Sequence, residues 1–301
     1  MNKVKAIWEL LRLEHGVMIA IAILIGSLIA LKGEGFPPIN KFILTFFTAL
    51  FLEASTFALN DYYDLDIDKK NKRTDRPLVR GDITPKTALY SFFILFPLGI
   101  ICSYFVNTAC FIIALITALL AILYDAKMKK IKLVGNFYIA YVMAIPFIFG
   151  GAAVLENNLL IFEIDPATYI IALIAFFAGS GREIMKDVMD FQGDVKKGVK
   201  SFPKYIGERK SNILAGFFFL IAIILSFLPF TIKQYQIYYL NYSYLLLVFI
   251  TDVMLLSTSF QLILKKKPNL KIYRSFTLLA IFIGLIAFLI PILLKIIGGG
   301  N

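Results

Sequence analysis

Asn60, Asp61, Asp64 and Asp68 stand in the order Asn-Asp-x2-Asp-x3-Asp, and Asp187, Asp190 and Asp194 repeat the acidic spacing later in the chain. In a helix, positions i, i+3 and i+7 share one face. At about 100° per residue the first four residues fall within an arc of roughly 100°, with Asp66 on the far side. The second trio is narrower still, and Glu183 lies on its side. Three unpaired carboxylates on one stripe repel each other unless cations sit between them, and two facing stripes repel more strongly. No His or Cys is near, and an all-oxygen donor set selects hard cations such as Mg²⁺. Mg²⁺ takes one or two carboxylates and fills its remaining positions with water and phosphate oxygens. Acidic stripes flanked by Lys and Arg therefore read as a diphosphate clamp. Two solvated helix ends are the plainer reading of either stripe alone, but they leave the match between the stripes unexplained.

That match extends beyond the carboxylates. A shift of 126 residues lays Asp61, Asp64 and Asp68 on Asp187, Asp190 and Asp194, and also Lys70 on Lys196, Pro77 on Pro203 and Gly81 on Gly207. Four apolar spans separate the copies, so both face the same side of a membrane. The repeat is parallel rather than inverted.

The elements that position these stripes follow from composition. Of 301 residues 59% are hydrophobic and 17% charged, with a mean hydropathy of +0.79. A bilayer requires that much apolar surface and a water-soluble domain cannot hide it. Nine spans are predicted at 17–32, 42–60, 87–106, 108–124, 134–154, 169–186, 212–232, 243–264 and 274–295, each near the ~20 residues that cross the hydrocarbon core. The expected fold class is an all-α polytopic membrane bundle: a single domain over 1–301, with acidic motif loops at 60–86 and 182–211. No cleavage site follows the first charged stretch, so the first span is expected to be retained. The net charge of +11 does not indicate nucleic acid. With the N-terminus inside, 27 of the 31 Lys and Arg fall on one side, which predicts a cell-membrane protein with its acidic motifs facing the cytoplasm. Anionic headgroups suit the Lys265-Lys266-Lys267 run.

Other residues carry weaker signals. Cys102 and Cys110 read as packing, Trp8 and His15 as interfacial, and Pro97, Pro146 and Gly150-Gly151 as kinks or close helix contacts. Glu53 lies on the cluster's side of its helix and is expected to line the cavity. Asp252, inside an apolar run, is a candidate functional acid with a polar-tunnel or capping role as the alternative.

These residues resemble the UbiA superfamily of intramembrane prenyltransferases. The two acidic motifs fit, and a third motif matches Tyr124, Lys129 and Asn136; nine helices and the motif order extend the resemblance over nearly the whole chain. Within the superfamily the pattern is most similar to the archaeal digeranylgeranylglyceryl phosphate synthases, through Arg182-Glu183-Ile184-Met185-Lys186-Asp187, Gly193-Asp194, Arg76-Pro77-Leu78 and Gly135-Asn136. Met189 departs from that group, where an acid is common.

The resemblance implies Mg²⁺-dependent transfer of a geranylgeranyl group from geranylgeranyl diphosphate to the hydroxyl of geranylgeranylglyceryl phosphate, a lipid-soluble phosphorylated glycerol ether. It assigns metal binding to Asn60, Asp61, Asp64, Asp68, Asp187, Asp190 and Asp194, with Asp64, Asp68, Asp190 and Asp194 catalytic. Asn60, Tyr124, Lys129, Asn136, Arg76, Arg182 and Lys186 are expected at the substrates. Six aspartates and a diphosphate of about −3 leave a charge deficit even with two Mg²⁺, so Lys and Arg must approach. Phe and Tyr side chains are expected to wall the allylic cation, while the base stays open between a carboxylate and departing diphosphate. An aromatic acceptor such as 4-hydroxybenzoate, or protohaem, is the alternative within the superfamily. Outside it stand a divalent-cation transporter and the CDP-alcohol phosphotransferases, whose Asp-Gly-x2-Ala-Arg pattern does not occur here.

Overall fold

The computed structural model describes residues 3–70, 72–155, 164–196 and 198–298, with backbone alone at Ile67, Asp194 and Lys196. A short helix α1 (Lys3–Leu11) precedes α2 (Gly16–Ala30), α3 (Ile39–Lys70), the single turn α4 (Pro77–Arg80), α5 (Pro85–Val106) and α6 (Thr108–Ala126). Then follow α7 (Lys132–Ala153), α8 (Pro166–Lys196), α9 (Phe202–Thr231), α10 (Tyr242–Leu264) and α11 (Leu270–Ile297). Among the described residues nine helices are long and apolar enough to cross a membrane, one for each predicted span.

Their exteriors agree with that role. Phe93, Phe105, Ile224 and Leu246 are each about two-thirds exposed on the outside of the bundle, which is stable against lipid and costly against water. The protein is a multi-pass membrane protein.

One expectation needs correction. The acidic segments placed in loops at 60–86 and 182–211 are largely helical, because α3 runs on to Lys70 and α8 to Lys196. Lys69 and Lys70 fall in the last turn of α3, where cations favour the helix C-terminus and prolong the helix past its apolar part. The residues ahead of the first span also fold on their own account. In α1, Ala6 and Leu10 are fully buried while Val4 and Trp8 are exposed, an amphipathic helix lying against α3 and α4.

The 126-residue repeat holds in the backbone. Pro77 opens α4 and Gly81 ends it at φ 78°; Pro203 stands in the first turn of α9 and Gly207 breaks that helix at φ 82°. Only glycine takes such angles without strain. In both halves the acidic helix packs along the next long helix, α3 on α5 and α8 on α9.

Small residues let the halves close. A Cβ added at Gly26 would stand 2.0 Å from the Phe147 carbonyl oxygen, and one at Gly150 would stand 2.1 Å from that of Ile23, so α2 and α7 touch backbone to backbone. Ser27 adds a hydrogen bond to the Gly150 carbonyl at 2.8 Å. Asn107 separates α5 from α6: its Oδ1 accepts from the Cys110 amide at 2.8 Å as an N-cap, and its Nδ2 donates to the Ala152 carbonyl.

Candidate active site

The acidic ends of α3 and α8 come together at one end of the bundle, tied through the segment between α6 and α7. Lys200 donates its amide to the Lys130 carbonyl at 3.0 Å, so the chain leaving α8 is stitched to the one leaving α6. Residues from both repeats and from the third motif therefore share one site.

On α3, Asp61 is buried, with 2% of its surface exposed. Its Oδ1 accepts from Arg12 Nη2 at 2.8 Å and from Arg76 Nη1 at 2.7 Å, while its Oδ2 is buried with no hydrogen-bond partner among the described residues. Arg12 reaches it from the α1–α2 turn, where it adopts φ 50° and lays its guanidinium over Phe57 at 4.0 Å. One turn on, Lys129 donates to Asp64. Asp68 is buried beside Arg76, 3.9 Å away, and burial reinforced by the Asp64 charge pushes its carboxyl above the ordinary range. Asp66 is exposed, as its place on the far side of α3 predicts.

On α8, Asp187 is equally buried. Its Oδ2 accepts from Asn136 Nδ2 at 2.7 Å, and its Oδ1 pairs with Lys132 Nζ at 3.1 Å. Asp190 is exposed, and the side chain of Asp194 lies outside the described residues. Lys186 turns to Glu183 at 3.2 Å, and Arg182 Nη1 stands 4.0 Å from the same carboxylate. Tyr124 stacks on Tyr138 with ring centroids 4.8 Å apart.

The sequence reading missed three participants. Arg12 and Lys132 are single cations among many in basic stretches, and only the fold shows which reach a carboxylate. Asp125 carried a usable signal, an acid closing an apolar run beside Tyr124. It accepts from Asn60 Nδ2 at 2.6 Å. Because an ionised carboxylate only accepts, this contact turns the Asn60 carbonyl oxygen away from Asp125.

Among the described residues no three carboxylates converge as a ready-made cage. The donor set still fits Mg²⁺, which needs only one or two carboxylates from the protein. An orphaned, buried Asp61 Oδ2 is a group that a cation would satisfy. Next to the site an open cavity of about 700 Å³ runs into the bundle between α2, α3, α6 and α7. Glu53 lines it, as expected from its place on α3, and lies 3.4 Å from the half-exposed His15.

Known proteins resemble this chain in sequence and fold. The digeranylgeranylglyceryl phosphate synthase of Archaeoglobus fulgidus is 40% identical over 285 residues, covering 94% of each chain. A solved structure of a digeranylgeranylglyceryl phosphate synthase is similar over 97% of this chain and 99% of its own, at 35% identity and a TM-score of 0.79. A UbiA homolog from Archaeoglobus fulgidus, solved with GPP and Mg²⁺, shares the fold at 18% identity and a TM-score of 0.57, over 94% of this chain and 99% of that one. The UbiA prenyltransferase family matches residues 19–279, from α2 to within α11 and through both acidic helices. With that span and relatives at this identity, the chain belongs to the UbiA prenyltransferase family.

Proposed function

We propose that the protein is a magnesium-dependent prenyltransferase. It moves a geranylgeranyl group from geranylgeranyl diphosphate to the free hydroxyl of geranylgeranylglyceryl phosphate, forming digeranylgeranylglyceryl phosphate for archaeal ether lipids. The observation that carries this reading is the pair of acidic helices tied to one segment, Lys129 on Asp64 and Asn136 on Asp187, with an unpartnered Asp61 oxygen on one of them, in a chain whose relatives bear that enzyme's name. The one-sided distribution of Lys and Arg supports a site at the cytoplasmic face of the cell membrane.

Asn60, Asp61, Asp64 and Asp68 on one side, and Asp187, Asp190 and Asp194 on the other, would hold the metal. Bound there, Mg²⁺ supplies Lewis-acid stabilisation of the charge that builds on the diphosphate as the allylic C–O bond breaks. The protein's own residues do the rest. Lys129 swings from Asp64 to a diphosphate oxygen, and Tyr124, held by its stack on Tyr138, presents its hydroxyl to the same group. Arg12 and Arg76 fix the Asp61 carboxylate by Oδ1, leaving Oδ2 for the cation. Lys132 and Asn136 hold Asp187 in the same way on the other helix. Tyr138, on the cavity wall, offers its ring face to the allylic cation. The acceptor oxygen then bonds to the prenyl carbon and gives its proton to a carboxylate or to the departing diphosphate.

Purified protein in vesicles, given labelled geranylgeranyl diphosphate and a panel of acceptors with and without Mg²⁺, tests this. Label should reach the phosphorylated ether only when Mg²⁺ is present. Transfer to 4-hydroxybenzoate alone, or Mg²⁺ flux without any transfer, would overturn the reading.

A further inference from the structure

The internal repeat extends into the interior of the bundle. A second, smaller apolar cavity lies between α7, α8, α10 and α11, with Ala222 and Ser226 of α9 at one wall. The first cavity is bounded by α2, α3, α6 and α7, so α3 stands at the first cavity where its repeat counterpart α8 stands at the second. On these two helices three lining positions agree. The 126-residue shift lays Thr48, Ala49 and Leu52 of the first cavity on Ile174, Ala175 and Ala178 of the second. Each acidic helix thus carries an apolar chamber on its inward face.

The mouths of the two chambers differ. Thr56 lines the first, and its equivalent on α8 is Arg182, one turn beyond Ala178 on the same helix face. Arg182 is largely buried and its Nε has no hydrogen-bond partner among the described residues. The carboxylate nearest its Nη1, that of Glu183, is 4.0 Å away and is approached more closely by Lys186, at 3.2 Å. Arg274 stands two turns before Ile281 on the cavity face of α11, near enough for its charge to act on Arg182, and no carboxylate is paired with it among the described residues. Two guanidiniums over an apolar chamber, one with a buried donor left empty, suit an anionic headgroup with an apolar tail.

We propose that the second cavity and the Arg182–Arg274 pair form the acceptor site, in which the guanidiniums hold the acceptor's phosphate and the cavity takes its isoprenoid chain. This rests on the prenyl-transfer reading above, in which both substrates carry the same geranylgeranyl chain and only the donor's anionic group is held through metal. A duplicated fold with two equivalent chambers matches two equivalent tails. The exchange of Thr56 for Arg182 matches the difference between the two heads. In the second cavity the Asp252 carboxyl is turned onto Ser226, whose Oγ lies 2.8 Å from Oδ2 and 2.7 Å from the Ile223 carbonyl oxygen, so the hydroxyl sits between two acceptors in the wall.

The test varies each substrate in turn at saturating levels of the other, in vesicles of zwitterionic lipid, with wild-type protein, Arg274→Gln and Gly284→Leu. Arg274 is exposed, so its replacement does not threaten folding. A Cβ at Gly284 meets nothing nearer than the Thr251 side chain at 3.4 Å, so leucine there enters the cavity without displacing backbone. Each variant should raise the KM for geranylgeranylglyceryl phosphate about tenfold and leave that for geranylgeranyl diphosphate within about twofold. With an acceptor cut to a ten-carbon prenyl chain, the Gly284→Leu effect should vanish while the Arg274→Gln effect persists. A rise in donor KM instead, or an unchanged acceptor KM in both variants with wild-type thermal unfolding, would overturn the assignment. So would inhibition of the wild type by added anionic phospholipid that Arg274→Gln escapes with no change in acceptor KM, since the pair would then hold a bilayer headgroup. Wild-type product in the same assay keeps the prenyl-transfer reading standing in all three cases; its absence would remove both.

Discussion

Asn60 and Asp125 are 65 residues apart, yet the Asn60 side-chain amide donates to an Asp125 carboxylate oxygen at 2.6 Å. The contact joins the first acidic motif on α3 to the end of α6 and decides which way the amide of Asn60 points. With Nδ2 committed to Asp125, Oδ1 is free for a cation. Asp125→Ala lets the amide turn over. The Mg²⁺ concentration for half-maximal transfer should then rise on the order of tenfold, with the maximal rate at saturating Mg²⁺ changed much less. A Mg²⁺ titration of product formation reads this directly, and an unchanged midpoint would refute the orienting role.

Asp64 and Asp190 stand at equivalent places in the repeat, and each should be needed. Asp64→Ala and Asp190→Ala are expected to lower the transfer rate by on the order of 100-fold or more at saturating substrate, since the loss falls on charge that develops as the diphosphate leaves. Asp190 is exposed, so its variant should unfold at the wild-type temperature. Full activity in both variants would discard the paired-stripe mechanism.

Arg12 holds Asp61 from outside the membrane-spanning bundle. Its side chain is 19% exposed and that of Asp61 2%, so Arg12→Met leaves a buried carboxylate with one cation where there were two. Removing one partner of a buried pair costs on the order of 3 kcal/mol, and the retained Arg76 contact should hold the loss to the lower part of that scale. Thermal unfolding in detergent should fall by several degrees. Adding Asp61→Asn to Arg12→Met should recover part of it, because the uncompensated charge is then gone.

Gly150 lies where α7 touches α2. A methyl group there would stand 2.1 Å from the Ile23 carbonyl oxygen, a clash with backbone that no rotamer relieves. Gly150→Ala should destabilise the protein by about 2–3 kcal/mol through separation of the two helices. Gly193→Ala makes a sound control, since a Cβ there meets nothing within 4 Å. Equal unfolding temperatures for the two variants would show that the close crossing is unimportant.

What the sequence determined by itself was whatever repeats locally. Apolar runs near the thickness of a bilayer marked out nine spans. Spacing at helical period put Asp61, Asp64 and Asp68 on one face and Asp66 on the other. A single offset tied the two halves together down to the positive φ of Gly81 and Gly207. These features depend only on neighbours along the chain, so they could be read before any fold was known. The tertiary structure decided the rest. It carried the acidic helices past their expected ends, chose Arg12 among many cations to hold Asp61 across 49 residues, and set Asn136 on Asp187 across 51. It also hollowed two chambers at matching places in the two halves. Pairings of this kind depend on how helices far apart in sequence cross, and no local pattern encodes the angle and depth of those crossings.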